Sequence, residues 1–283
     1  MHSGFVTVVG RPNVGKSSLV NAICGAKVSI VSDKPQTTRG AIRGVFHRDD
    51  AQIVFVDTPG IHKPVTALGE RLNEAATTAL RDDVDVVCFV IDASKAFGTG
   101  DQWVARRLPP DAIVIVNKID KVLPNKLIAQ LTAVSSVPAE AYFPISTRTR
   151  EGLDELIEHL VARMPEGPAY FPIGQVHEQS DATRVAELVR EQLLARTEDE
   201  LPYSIATRVT EWAWPRIRCE ILVERESQKG MVIGKGGALL KAVGIAVREQ
   251  LPEGAYLELR VRVEPKWQQR RDRVDRVLGD DQD

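Results

Sequence analysis

The segment Gly10-Arg11-Pro12-Asn13-Val14-Gly15-Lys16-Ser17 fits the pattern G-x-x-x-x-G-K-[ST] and directly follows an apolar, β-branched run from Phe5 to Val9. A glycine-framed loop between a strand and a helix turns successive backbone N–H groups inward, where they cradle phosphate oxygens. Lys16 then reaches the β and γ phosphates, Ser17 ligates Mg²⁺, and the following helix adds its positive N-terminal end. These residue types at this spacing therefore predict nucleotide binding.

Three further polar clusters follow apolar runs. Asp57-Thr58-Pro59-Gly60 follows Ile53 to Val56. A carboxylate that ends a hydrophobic strand is costly unless a cation compensates it, so Asp57 reads as the Mg²⁺-site carboxylate. Gly60 lacks a Cβ and can bring its backbone N–H close to a γ-phosphate, so loss of that phosphate would release the segment after it. Asn117-Lys118-Ile119-Asp120 fits N-K-x-D, in which Asp120 accepts two N–H bonds from the N1 and N2 edge of guanine. Adenine lacks that donor pair, and an unpaired buried carboxylate penalises the wrong base. Asn117 would brace the loop and the stem of Lys118 would cover the base. Ser146-Thr147, after Tyr142 to Ile145, would support the guanine carbonyl through its backbone.

The elements that must position these clusters are legible as well. Phe5 to Val9, Ile53 to Val56, Asp85 to Ile91, Ala112 to Val116 and Tyr142 to Ile145 read as strands with helical patterns between most of them. Near-continuous hydrophobicity in short strands indicates a mostly parallel sheet covered by helices on both faces. Ligands bind beyond the carboxyl ends of such strands, where all four clusters fall.

A chain of 283 residues, 43% hydrophobic and 27% charged, is long enough for two ordinary globular domains. The longest apolar run, Val86 to Ile91, is far too short to span a membrane, and the first strand begins too early for a secretion signal, which predicts a cytoplasmic protein. Cys24, Cys88 and Cys219 lie apart in apolar stretches and read as small core residues rather than disulfide or zinc ligands. The net charge of −2 carries no sign of nucleic acid, but residues 201–283 hold 15 Lys+Arg against 13 Asp+Glu, three of the acids falling in the last five residues. That is a mild basic footprint.

Regular structure should lapse around Met164 to Gln175, where Pro165, Gly167, Pro168, Pro172 and Gly174 cluster. This predicts a first domain over 1–165, a linker over 166–180 and a second domain over 181–283. In the second, Ala182 to Arg196 carries a helical stripe capped by Ser180 or Asp181, and the runs from Ile217 and from Leu257 alternate as strands with one buried face. Between them, Val232-Ile233-Gly234-Lys235-Gly236-Gly237 fits the G-x-x-G loop of K-homology domains, where two helices meet close to a nucleic-acid backbone. Lys235 adds charge for phosphates and Ile233 can line a groove for unstacked bases.

Taken in order, these motifs resemble the translation-factor-related GTPases, and Gly-Arg-Pro-Asn-Val-Gly-Lys-Ser with Asp-Thr-Pro-Gly narrows the resemblance to the Era-like branch. A three-layer αβα P-loop GTPase domain followed by a smaller α+β type II K-homology domain is the fold it implies, over nearly the whole chain. Leu201-Pro202-Tyr203-Ser204 and Val223-Glu224-Arg225-Glu226-Ser227-Gln228-Lys229 share in it.

The family alignment makes Thr38, with Thr37 as runner-up, the switch threonine that completes the Mg²⁺ shell with Ser17 and Asp57. It also implies K⁺ near the transferring phosphate, coordinated by Asn13. Ile61 stands where Ras-type GTPases carry a water-orienting glutamine, so hydrolysis would rest on Asn13, Lys16, Thr38, Gly60 and the ions, with slow intrinsic turnover. His62 and Lys63 are taken as switch surface, and no general base is assigned. Thr147 replaces the usual alanine, and the stretch after Trp267 is Arg-rich and then acidic.

By function, the resemblance implies a monomeric, GTP-gated switch, its segments Pro35 to Arg39 and Gly60 to Lys63 ordered by GTP. It implies binding to the 3′ region of small-subunit (16S) rRNA, assistance to 30S subunit assembly and rRNA maturation, no DNA, and a weak peripheral membrane association without an anchor. The alternative is an RNA-binding assembly scaffold with a passive nucleotide domain. A transfer-RNA-modifying GTPase is a second rival, disfavoured by the K-homology tail and the missing terminal cysteine segment.

Overall fold

The computed structural model of the chain describes residues 1–34, 36–61, 64–80 and 84–278, so Pro35, His62, Lys63 and the acidic end from Gly279 to Asp283 lie outside the described residues. Its contacts divide the chain into two units: residues 1–31, 38–63 and 72–178, and residues 32–37, 64–71 and 179–283.

The first unit runs β1 (His2–Val9), α1 (Lys16–Cys24), β2 (Ile42–Arg48), β3 (Ala51–Asp57), α2 (Ala67–Thr78, its first turn assigned to the other unit), β4 (Val86–Asp92), α3 (Thr99–Ala105), β5 (Ile113–Asn117), α4 (Pro124–Val134), β6 (Ala141–Pro144) and α5 (Leu153–Arg163). The sheet order is β2-β3-β1-β4-β5-β6, parallel except for β2, which pairs antiparallel with β3. Each central strand buries both faces. Val8, Phe55, Cys88, Val90 and Ile115 pack with Leu19 and Val20 of α1 and Leu156 and Leu160 of α5. Their strand neighbours Val9, Val87, Phe89, Ile91 and Val116 pack with Ala76, Val104 and Val134 of α2, α3 and α4 on the other side. This is the expected αβα sandwich, and it aligns the carboxyl ends of β1, β3, β4 and β5 on one edge.

Strand β2, absent from the sequence reading, mixes Arg43, His47 and Arg48 with apolar residues because it borders the sheet and is half wet. The Pro- and Gly-rich stretch after Met164 lacks long regular elements, as its composition predicts, yet it is docked rather than loose. Phe171 accepts from Gln52 Nε2, and Gln52 Oε1 accepts from the Tyr170 and Phe171 amides. Val45 N–H donates to Val176, and His177 bridges Gly44. Fully buried Gln52 thus uses its side-chain amide to hold the ribbon against β3.

The second unit runs α6 (Asp181–Leu194), α7 (Leu201–Ser204), β7 (Ala206–Ala213), β8 (Arg216–Val223), α8 (Glu226–Ile233), α9 (Ala238–Arg248), β9 (Tyr256–Val263) and α10 (Arg271–Leu278). Ser180 is the cap of α6, its side chain accepting from the Thr183 amide. In the sheet β7-β8-β9, β8 is antiparallel to β7 and parallel to β9. Cys219, Ile221 and Val223 pack with Val189, Leu193, Val232, Val243 and Val247 in its core. The stretch Glu226–Arg248, with mean hydropathy 1.5 over its most apolar window, has the length and composition of a membrane span. It is broken by left-handed backbone between Gly234 and Gly237 and packs on this sheet through Val232, Val243 and Val247, which the run-length reading did not anticipate.

All three cysteines are unpaired core or near-core residues, and burial pushes their thiols up to about 12.

Candidate nucleotide site and nucleic-acid loop

Residues 10–17 form the turn from β1 into α1. Gly10 (φ 151°) and Gly15 (φ 102°) need glycine, since a Cβ would lie 2.3 Å from the Val90 carbonyl oxygen and 2.2 Å from Asn117 Nδ2 respectively. Lys16 is buried, and its ammonium donates to the carbonyls of Gly10 (3.2 Å) and Arg11 (3.0 Å). Desolvation lowers its pKa to about 8, against the attraction of Asp57.

Ser17 Oγ lies 3.0 Å from Thr38 Oγ1, which donates to Asp57 Oδ2 at 3.5 Å. Asp57 is wholly buried, and burial raises its carboxyl pKa despite Lys16. Its second oxygen, Oδ1, has no hydrogen-bond partner. Three oxygen-bearing side chains with one orphaned carboxylate oxygen are a donor set of the kind a hard divalent cation takes. Thr37, by contrast, donates its hydroxyl to the Lys34 carbonyl at 2.6 Å.

Thr58 donates to the Val8 carbonyl (2.8 Å), tying the Asp57–Gly60 segment to β1. Gly60 passes so close to the phosphate loop that a Cβ would sit 2.6 Å from the Pro12 nitrogen. Ile61 is buried in the core among β4 and β5 residues, with its N–H on the Gly10 carbonyl at 3.1 Å.

Asn117 braces three loops at once. Its Nδ2 donates to Val14 O (3.0 Å), and its Oδ1 accepts from the amides of Lys118 (2.8 Å) and Thr147 (3.2 Å). Ser146 Oγ donates to Asp120 Oδ1 at 2.7 Å, so its hydroxyl, beyond the backbone role expected of it, aims the carboxylate. Lys118 Nζ donates to Asn13 O (2.6 Å) and Asp92 Oδ2 (2.7 Å).

Sequence reasoning missed three residues here. Asp92 ends β4 as Asp57 ends β3, and that shared position was the available signal. Arg148 Nε lies 2.9 Å from Asp120 Oδ2. Asp101 accepts from Arg11 Nη1 (3.1 Å) and from the Gly98 amide (3.1 Å), joining the phosphate loop to the start of α3. The spacing of these two residues carried no such signal.

In the second unit, Gly234 (φ 74°) ends α8 and Gly237 (φ 78°) begins α9, with the Gly237 N–H on the Gly234 carbonyl at 3.0 Å. Lys235 and Gly236 are exposed, whereas Val232 is fully buried and Ile233 half-buried. Val232 thus belongs to the core, not to a contact surface. A Cβ at Gly234 would come within 2.8 Å of Leu239 Cβ, whereas Gly236 faces open space. Gln228 holds the start of α8 by accepting from the Glu224 (2.9 Å) and Arg225 (3.1 Å) amides. On α6, Arg190 is buried, pairs with Glu187 at 2.6 Å and donates to the Thr37 carbonyl.

The family described as 50S ribosome-binding GTPase matches residues 5–118, and the KH domain family matches residues 200–268. GTPase Era of Mycobacterium tuberculosis is 47% identical over 287 residues, covering 94% of this chain and 95% of its own length. A crystal structure of Era in complex with MgGDPNP and nucleotides 1506–1542 of 16S ribosomal RNA superposes over 99% of both chains with a TM-score of 0.92 at 35% identity. An Aquifex aeolicus Era variant bound to GDP·AlF4⁻ superposes over 99% of both chains with a TM-score of 0.91, also at 35% identity. With this order of motifs and elements, and relatives that match from end to end, the chain belongs to the GTPase Era family.

Proposed function

We propose that the protein hydrolyses GTP in a Mg²⁺-dependent cycle and binds the 3′ region of 16S rRNA through the Gly234–Gly237 loop, assisting small-subunit assembly and rRNA maturation. The observation that carries the reading is the meeting of Ser17, Thr38 and Asp57 beside Lys16, with one Asp57 oxygen left for a cation. The related Era bound to MgGDPNP and 16S rRNA supports the pairing of nucleotide with RNA.

Gly10 to Ser17 wrap the phosphates, with Lys16 moving its ammonium from the loop carbonyls to phosphate oxygens. Mg²⁺, when bound, neutralises charge on the β and γ oxygens. Gly60 offers its N–H to the γ-phosphate, and Thr58, on the Val8 carbonyl, holds that segment against β1. Asn117, Lys118 and Asp120, steadied by Ser146 and Thr147, select guanine. Ile61 is sealed in the core and orients no water, so turnover without a stimulating partner is slow.

Asn13 is assigned to a K⁺ site, with hydrolysis faster in K⁺ than in Na⁺ as its test. The functional boundaries 1–165, 166–180 and 181–283 belong to the proposal, as do the cytoplasmic monomer, the 30S association and a minor membrane-bound fraction. Sedimentation with 30S subunits and vesicle flotation test these last points. GTP gating is supported by the second unit's taking in residues 32–37, where Arg190 grips the carbonyl next to Thr38. It fails if RNA affinity is equal with GTP analogue, GDP and no nucleotide.

The direct test is RNA crosslinking and sequencing from cells with the intact protein and Lys235→Glu. Reads concentrated at the 3′ end of 16S rRNA and lost in the variant are expected. Scattered or transfer-RNA reads indifferent to the substitution refute the assignment. Multiple-turnover phosphate release, abolished in Lys16→Ala, separates an enzyme from a passive scaffold.

A further inference from the structure

Two of the chain's four tryptophans lie at the end of β7, Trp212 within the strand and Trp214 in the Trp214-Pro215 turn to β8. They are 41% and 50% exposed, and Tyr256 at the start of β9 is 57% exposed. Trp214 and Tyr256 share a corner of the sheet: Ala213 pairs with Arg216 and Arg216 with Tyr256, whose N–H donates to the Pro215 carbonyl at 2.8 Å, whereas Trp212 pairs with Ile217 and stands on the opposite face. Trp267, by contrast, is fully buried with its indole on the Ser204 carbonyl, which is how this fold treats a structural tryptophan. Clustered rings left in water mark an interaction site more often than isolated ones do.

The sheet face opposite Ile217, Cys219 and Ile221 continues from this corner. It carries Arg216, Arg218, Arg260, Arg262 and Arg208 with Glu211, Glu220 and Glu258, an excess of arginine and no lysine. Glu258 spreads the guanidiniums, accepting from Arg216 (3.1 Å) and Arg260 (2.7 Å), whose side chains stay more than half exposed. A guanidinium has five donors in a planar fork, so one carboxylate does not exhaust it. Planar rings beside arginine forks fit unpaired nucleic acid, where bases stack and phosphates take the forks. A lipid surface fits less well: the turn has no aliphatic side chain longer than alanine, and Glu211 and Glu258 would be carried toward the acyl boundary.

We propose that Trp214 and Tyr256, with Arg216 and Arg260, form a second RNA-contact surface that stacks unpaired bases and is distinct in residues from the Gly234–Gly237 loop. The inference rests on the RNA-binding reading above and adds a site to it.

The test is fluorescence anisotropy of a labelled single-stranded 16S 3′-end oligonucleotide with the full chain, the double variant W214A/Y256A, and W214F/Y256F. The alanine variant should bind about tenfold more weakly, the phenylalanine variant should keep most of the affinity, and GTP hydrolysis should not change. The salt slope should stay the same in the aromatic variants and fall by about 1 for each of Arg216→Gln and Arg260→Gln, because only the latter release fewer counterions. Unchanged affinity in W214A/Y256A, while Lys235→Glu weakens binding, overturns this site and leaves the loop assignment standing. Absence of RNA binding by the intact protein overturns both. Tryptophan protection from acrylamide by phosphatidylglycerol vesicles, and none by RNA, assigns the corner to a membrane and refutes the proposal.

Discussion

Lys118 Nζ bridges two partners, Asp92 Oδ2 at 2.7 Å and the Asn13 carbonyl at 2.6 Å, so the loop after β5, the end of β4 and the loop after β1 share one ammonium. Burial works against the Asp92 carboxylate, but hydrogen bonds from Lys118 and Ser94 outweigh it and hold its carboxyl below the usual range. Its contribution is therefore present above the ordinary carboxyl pKa and is lost as pH falls through the depressed value.

Asp92→Asn keeps the shape but removes the charge that anchors Lys118. A charge-assisted hydrogen bond of this kind contributes roughly 1.5–3 kcal/mol, so GDP release should accelerate by roughly 10- to 100-fold. Stopped-flow release of fluorescent GDP measures it, and an unchanged rate would show that Asn13 alone positions Lys118.

Thr37 and Thr38 are adjacent but do different things. Thr38→Ala should lower kcat by roughly 10² and raise the Mg²⁺ concentration needed for half-activity, because its hydroxyl lies against Ser17 and Asp57. Thr37→Ala removes only a local bond to Lys34 and should leave the Mg²⁺ dependence unaltered. A Mg²⁺ titration of both variants decides which threonine serves the ion.

Lys16 titrates near pH 8 in the nucleotide-free protein because burial disfavours its charge. Its folded pKa lies below its unfolded one, so the free protein loses stability as pH falls from about 10.5 toward 8. Phosphate restores the charge, and nucleotide binding at pH 9 should take up a proton in the ammonium. Calorimetry in buffers of different ionisation enthalpy should show this uptake, abolished in Lys16→Met. Equal uptake in the two proteins would refute it.

Gly234 and Gly236 both have positive φ but differ in surroundings. Gly234→Ala drives a methyl group into Leu239 and should destabilise the fold by about 2 kcal/mol or more, whereas Gly236→Ala costs about 1 kcal/mol of backbone strain. Urea unfolding ranks them. A reversed order would mean the loop relaxes freely around Leu239.

The phosphate loop, Asp57, Asn117 and Asp120 were legible because each follows a short apolar run, and in a parallel sheet the carboxyl ends of such runs gather at one edge. The G-x-x-G loop was legible because glycine pairs between helical stripes admit few other backbones. Strand β2 was not legible: at a sheet border, pairing with β3 decides the conformation, and its mixed composition has no clear period.

Local pattern determined most of the strands, helices and loops and pointed to the motifs suited to phosphate, guanine and RNA-loop chemistry, since those depend on neighbours in the chain. Tertiary packing decided what depends on distant partners. Thr38 rather than Thr37 faces Asp57, Asp92 holds Lys118 across 26 positions, and the ribbon after Met164 docks on Gln52. Val232 is core although it adjoins an exposed loop. A side chain's partner across the fold is fixed by where the backbone brings it and by the cost of leaving a buried polar group unpaired, and neither quantity is written in the spacing of residues.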